Sequence, residues 1–74
     1  MSQKSVFDLT YNERAKIKHF TDSRIACKLL TIGIVPDAHV VLVRRSPFGG
    51  AMCIKLDNTV IAIRNKEAKS IIVE

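Results

Sequence analysis

From residue 14 the chain alternates: Ala15, Ile17 and His19 fall on one side, Lys16, Lys18 and Phe20 on the other. A period of two predicts a first strand, with Lys16 and Lys18 facing water. The period then changes. Thr21-Asp22-Ser23 supplies three candidate N-cap residues, and Ile25, Leu29 and Ile32 follow at i, i+4 and i+7 with Ala26 beside them. That spacing predicts a helix with one apolar stripe, with Arg24, Cys27 and Thr31 pointing away from it and Lys28 at its edge. Gly33 is placed to take the left-handed conformation after the helix, Ile34 to fold back as its hydrophobic contact, and Pro36 to bar continuation.

Residues 38–45 are dense in β-branched side chains (Val40, Val41, Val43) and predict a second strand. Ser46-Pro47-Phe48-Gly49-Gly50 then reads as a loop. Met52, Ile54 and Leu56 alternate with Cys53 and Lys55, Asp57-Asn58 suits a tight hairpin turn, and residues 60–64 form the return strand. Residues 65–69 are polar and tolerate a helix, and residues 70–73 read as a final apolar strand. The opening 13 residues carry turn formers and a few apolar anchors (Val6, Phe7, Leu9, Tyr11) and read as a segment packed onto the core. Closely spaced strands with one helix after the first predict a mainly β fold, a small, partly closed barrel, since closure protects strand edges.

Seventy-four residues leave room for one core, so residues 1–74 are expected to form a single domain. Only Phe7, Tyr11, Phe20 and Phe48 are aromatic, so Ile, Val and Leu must build that core. Residues 29–36 and 38–43 are too short and interrupted for a span of about 20 apolar residues, and residues 1–18 lack the continuous apolar stretch of a signal peptide. A cytoplasmic location is therefore expected, with Cys27 and Cys53 reduced. Twelve Lys and Arg against seven Asp and Glu give a net charge of +5. That balance suits an acidic protein, nucleic acid or an anionic membrane surface, and does not choose among them.

His19, Cys27, His39 and Cys53 are the metal-ligand types present, but no two of them have the spacing that places ligands on one element, so no metal site and no cofactor is expected. Hydroxyls and carboxylates are scattered and no nucleophile or phosphate-loop motif occurs, so no enzyme is expected. Gly49-Gly50 lacks the Lys-Ser/Thr and following helix of a phosphate cradle and reads as a hairpin loop. Arg44-Arg45 before Pro47-Phe48 is the most distinctive local feature. Adjacent strand residues face opposite sides, so at least one arginine reaches solvent. Either it forms a contact patch with an exposed Phe48, or Phe48 fills the barrel mouth and the arginines serve solubility.

The ordered combination of LLTIGIVP (29–36), VVLV (40–43) and RRSPFG (44–49), with IAIR (61–64), EA (67–68) and IIVE (71–74) at the end, resembles the ferrous iron transport protein A (FeoA) family over residues 6–74. The resemblance implies an SH3-like β-barrel with a helix after the first strand. It also implies a cytosolic accessory role in bacterial ferrous iron uptake, through contact with the iron permease, ferrous iron transport protein B. Two departures stand out: Asp37 replaces the family's usual Gly after Pro36, and Gly50-Ala51 replaces its common Asp-Pro. Asp tolerates turn geometry, whereas Gly50 loosens the loop.

The leading expectation is a regulatory interaction module. Either the outward helix face (Arg24, Lys28, Thr31) or the loop region (Arg44, Arg45, Pro47, Phe48, Gly49) would dock on an acidic cytosolic surface of the permease. The alternative is a small basic nucleic-acid-binding barrel, related to domains of metal-responsive repressors. It is weakened by the lack of a helix-turn-helix segment and of an aromatic stacking platform. A proline-rich peptide binder would need clustered aromatics that are absent. Weak self-association through an open barrel edge or the helix stays open.

Overall fold

Val40 pairs with Ala15 on one side and with Leu56 on the other, and Leu42 pairs with Ile54, which pairs in turn with Ile61. These rows of aliphatic side chains are the core, and their alternation is what the period-two pattern encodes. The structure, a computed structural model, describes residues 3–46 and 49–74. Its strands are β1 (Arg14–Phe20), β2 (His39–Arg45), β3 (Ala51–Leu56), β4 (Thr59–Arg64) and β5 (Ile71–Val73). They form one antiparallel sheet in the order β4-β3-β2-β1-β5. β1 serves two partners: residues 14–16 pair with β2, and Ile17, His19 and Phe20 pair with β5 across an irregularity between Ile17 and His19.

Helix α1 (Ser23–Thr31) follows β1 as its cap chemistry predicts, with the Asp22 carboxylate accepting the N–H of Arg24 at 2.9 Å and of Ile25 at 3.3 Å. Its apolar stripe is shorter than the spacing suggests. Leu29 is fully buried and Ile25 packs against the core, but Ile32 is 48% exposed. The helix ends at Thr31, Gly33 turns the chain at φ +91°, and Ile34 returns to the core with its N–H bonded to the Leu29 carbonyl. Ile34 thus takes the buried place that Ile32 leaves. Asp37 adopts φ +74°, so the residue standing for the family's usual Gly holds the left-handed turn itself.

The polar segment after β4 forms a second helix, α2 (Asn65–Ser70), in addition to the single helix expected. Because β4 and β5 are the two edges of the sheet, α2 spans from one edge to the other and packs against a 3-10 turn at Val6–Asp8. Ala68 is fully buried, and Glu67 and Ser70 are buried with it. Among the described residues no helix is long and apolar enough to cross a membrane.

Candidate partner-binding site

Arg24 and Lys28 lie one turn apart on α1, so both side chains leave the same face. Across from them stand Arg64, the last residue of β4, and Lys66 and Glu67 in the first turn of α2. With Ile25 as the apolar wall, these residues line a cleft of about 310 Å³. Its floor is organised by Glu67. The Lys28 ammonium donates to its Oε2 at 2.8 Å and the Arg64 backbone N–H to its Oε1 at 2.9 Å. The Lys28 hydrogen bond and then the Arg64 N–H hold the Glu67 carboxyl below the usual 4.5, against the opposing effect of burial. A buried carboxylate on a polar helix is stable here because both of its oxygens are satisfied.

With Glu67 committed to Lys28, the side chains of Arg24, Arg64 and Lys66 make no ion pair among the described residues. All three are exposed. The cleft therefore presents three cations outside the Lys28–Glu67 ion pair, of which Arg64 is near enough for its charge to favour the Glu67 carboxylate as well.

None of the other expected contact residues that the structure describes lines this cleft, and Arg44 and Arg45 together line a separate concavity of about 400 Å³ with Ala51, Met52, Cys53 and Ala62. Thr31 is exposed, and its hydroxyl donates to the Lys28 carbonyl at 2.6 Å. Arg44 and Arg45 do face opposite sides, and a register shift between Leu42 and Arg44 decides which way. Arg44 lies opposite half-buried Cys53 and is exposed, whereas Arg45 lies opposite buried Met52. The Arg45 guanidinium donates to the carbonyls of Phe7 at 2.7 Å and Leu9 at 3.0 Å and sits 5.2 Å from the Phe7 ring centroid. Its side chain is thus used to hold the opening segment on the barrel. Gly49 has φ +78° and its carbonyl accepts from the Asn65 amide. Pro47 and Phe48 lie outside the described residues, so both readings of Phe48 stand.

A further, smaller concavity of about 230 Å³ lies on the outer sheet face between Arg14, His39, Lys55 and Asp57. Cys27 and Cys53 are free thiols, and among the described residues no three His, Cys, Asp or Glu side chains are grouped to hold a metal ion. The sequence points to Arg24 and Lys28 but not to Arg64, Lys66 or Glu67. Those three sit in a polar stretch whose approach to α1 depends on the long-range return of β4 and α2.

A five-stranded antiparallel sheet with a helix after its first strand places the chain in the class of small, mainly β domains. The chain belongs to the FeoA family: a family model for the FeoA domain matches residues 6–74. The FeoA-like protein of Clostridium acetobutylicum is similar at 22% identity, with all of this chain and 88% of that one covered and a TM-score of 0.88. The iron(II) transport protein A of Clostridium thermocellum is 29% identical, over 96% of this chain and 44% of that one, with a TM-score of 0.87. The FeoA of Stenotrophomonas maltophilia, solved with zinc and described as a prokaryotic SH3 domain protein, is 25% identical over 96% of this chain and 89% of that one, with a TM-score of 0.79. The fold is accordingly SH3-like, and the family is associated with ferrous iron transport. No curated protein matches the chain.

Proposed function

We propose that this chain is a cytosolic accessory protein of bacterial ferrous iron uptake, acting by binding the cytosolic region of the iron permease, ferrous iron transport protein B. Membership of the FeoA family over residues 6–74 carries the reading. The +5 net charge and the outward cations of α1 support it, because they suit an acidic partner surface and would steer the encounter. The reading assigns the protein a regulatory contact and no chemical step.

The test is a pull-down of the permease's cytosolic region by the purified protein across a salt series. Saturable binding that weakens with ionic strength is the expected result. No binding at low ionic strength, in a preparation that is folded by circular dichroism, overturns the proposal.

A further inference from the structure

The cleft between α1 and α2 places four cations, Arg24, Lys28, Arg64 and Lys66, around a single carboxylate, Glu67, a local net charge of +3. The ion pair from Lys28 to Glu67 is already made inside the protein at 2.8 Å. What remains for a ligand is two guanidiniums and one ammonium around a cleft of about 310 Å³ with Ile25 on its wall. Guanidinium groups match carboxylates in a two-point, planar geometry, and their weak hydration lowers the cost of stripping water from them. Charges of one sign held close together also repel each other, so an anion that bridges them gains more than one that meets a lone surface lysine.

We propose that this cleft is the docking seat for an acidic protein segment, a stretch of chain carrying at least two Asp or Glu side chains that bridge Arg24, Arg64 and Lys66. The occupant is argued from charge complementarity and shape. Glu67 shows that the cleft accommodates a carboxylate, held by an ammonium from α1 and a backbone N–H from α2. A nucleic-acid strand fits less well, because the cleft is lined by no aromatic ring for a base to stack on. The inference deepens the permease reading by naming the chemistry of the contact, and it rests on that reading only for the identity of the partner.

The test uses the whole chain and a fluorescein-labelled glutamate-rich peptide, with a glutamine-rich peptide of the same length and a single-stranded oligonucleotide as competing probes. Arg24→Glu with Arg64→Glu is the cleft variant. Lys16→Glu with Lys55→Glu, which makes the same change of net charge on the outer sheet face, is the control. Glutamate-peptide binding weakened about tenfold or more by the cleft variant, and much less by the control, is the expected result. Equal loss in both variants, no peptide binding at low salt, or tighter binding of the oligonucleotide overturns the inference. Should the cleft variant lose its cooperative thermal transition, Lys66→Ala and Arg24→Ala, which remove one cation each from the exposed rim, must weaken the peptide singly or the inference fails.

The same variants assayed against the permease's cytosolic region separate the two proposals. Permease binding that the cleft variant leaves intact overturns the cleft assignment and preserves the permease reading. Peptide capture at the cleft without any permease binding does the reverse.

Discussion

Lys28 reaches from the last turn of α1 to Glu67 on α2, Nζ to Oε2 at 2.8 Å, joining the helix that follows the first strand to the helix that precedes the last. The pair does two things. It satisfies a carboxylate that the fold buries, and it withdraws one negative charge from a cleft whose other ionised groups are all positive.

Replacing Glu67 separates these roles. Glu67→Ala leaves the Arg64 N–H without its acceptor and is expected to cost about 1–2 kcal/mol, the usual loss for a helix cap or buried hydrogen bond. Glu67→Gln keeps an acceptor oxygen and is expected to cost less, since Lys28 is largely exposed and its attraction is screened. Urea unfolding measures both. Glu67→Gln is also expected to strengthen the binding of a glutamate-rich peptide, because a negative charge leaves the cleft.

The depressed carboxyls give the acid limb of stability its shape. Glu67 lies below 4.5, and Glu13 is held at about 2 by the Lys4 ammonium, followed by the Thr10 backbone N–H. A carboxyl whose folded value is depressed contributes its full stability above its unfolded value, near pH 4.5, and loses it as pH falls through the folded value. Stability is therefore expected to be flat from neutral pH to about pH 5 and to fall below it. Glu67→Gln is expected to flatten that fall, and Glu13→Gln to change it only slightly, because the contact of Glu13 with Lys4 is exposed and screened by solvent. NMR titration of the Glu13 carboxyl is expected to give a midpoint near 2.

Arg44 and Arg45 are expected to differ sharply. Arg45→Ala removes two hydrogen bonds to carbonyls of the opening segment and the contact with the Phe7 ring, a loss of about 1–3 kcal/mol. Arg44→Ala, on the exposed side, is expected to stay within about 0.5 kcal/mol of the parent. Chemical denaturation of the two single variants decides it, and equal costs would contradict the assignment of Arg45 to a structural role.

Leu29 and Ile32 make a second such pair. Leu29 is fully buried, so Leu29→Ala is expected to cost about 2–5 kcal/mol through lost burial and a residual cavity. Ile32, close to half exposed, is expected to cost well under 1 kcal/mol on the same substitution. Thermal midpoints for the two variants give the comparison.

At Asp37, φ +74° is a conformation that glycine adopts freely and β-branched residues resist. Asp37→Gly is expected to be no less stable than the parent, since the ion pair it loses with Lys16 is exposed and long at 3.6 Å. Asp37→Val is expected to cost about 1–2 kcal/mol. A Val variant as stable as the Gly variant would mean that the turn does not hold this geometry in solution.

Local periodicity and cap chemistry determined much of this protein by themselves. The alternation of residues 14–20 and 52–56, the carboxylate of Asp22 before the apolar stripe, and Gly33 ahead of Pro36 dictate strands, helix and turn through interactions only a few residues long. They also place Arg24 and Lys28 on one exposed helix face, since a spacing of four fixes that whatever the rest of the chain does.

Tertiary structure decided the rest, because the deciding interactions join residues far apart in the chain. The shift in β2–β3 pairing between Leu42 and Arg44 set which arginine turned inward, and it exists only once the two strands are aligned. Ile34 returned to the core as its place after Gly33 predicts, but Ile32 stayed 48% exposed because the helix ends at Thr31, before the stripe reaches it. The polar run after β4 became a half-buried helix because it spans the two edges of the sheet, with Lys28 available 39 positions away to satisfy Glu67. The same long-range closure brings Arg64 and Lys66 opposite Arg24 and completes the cationic cleft.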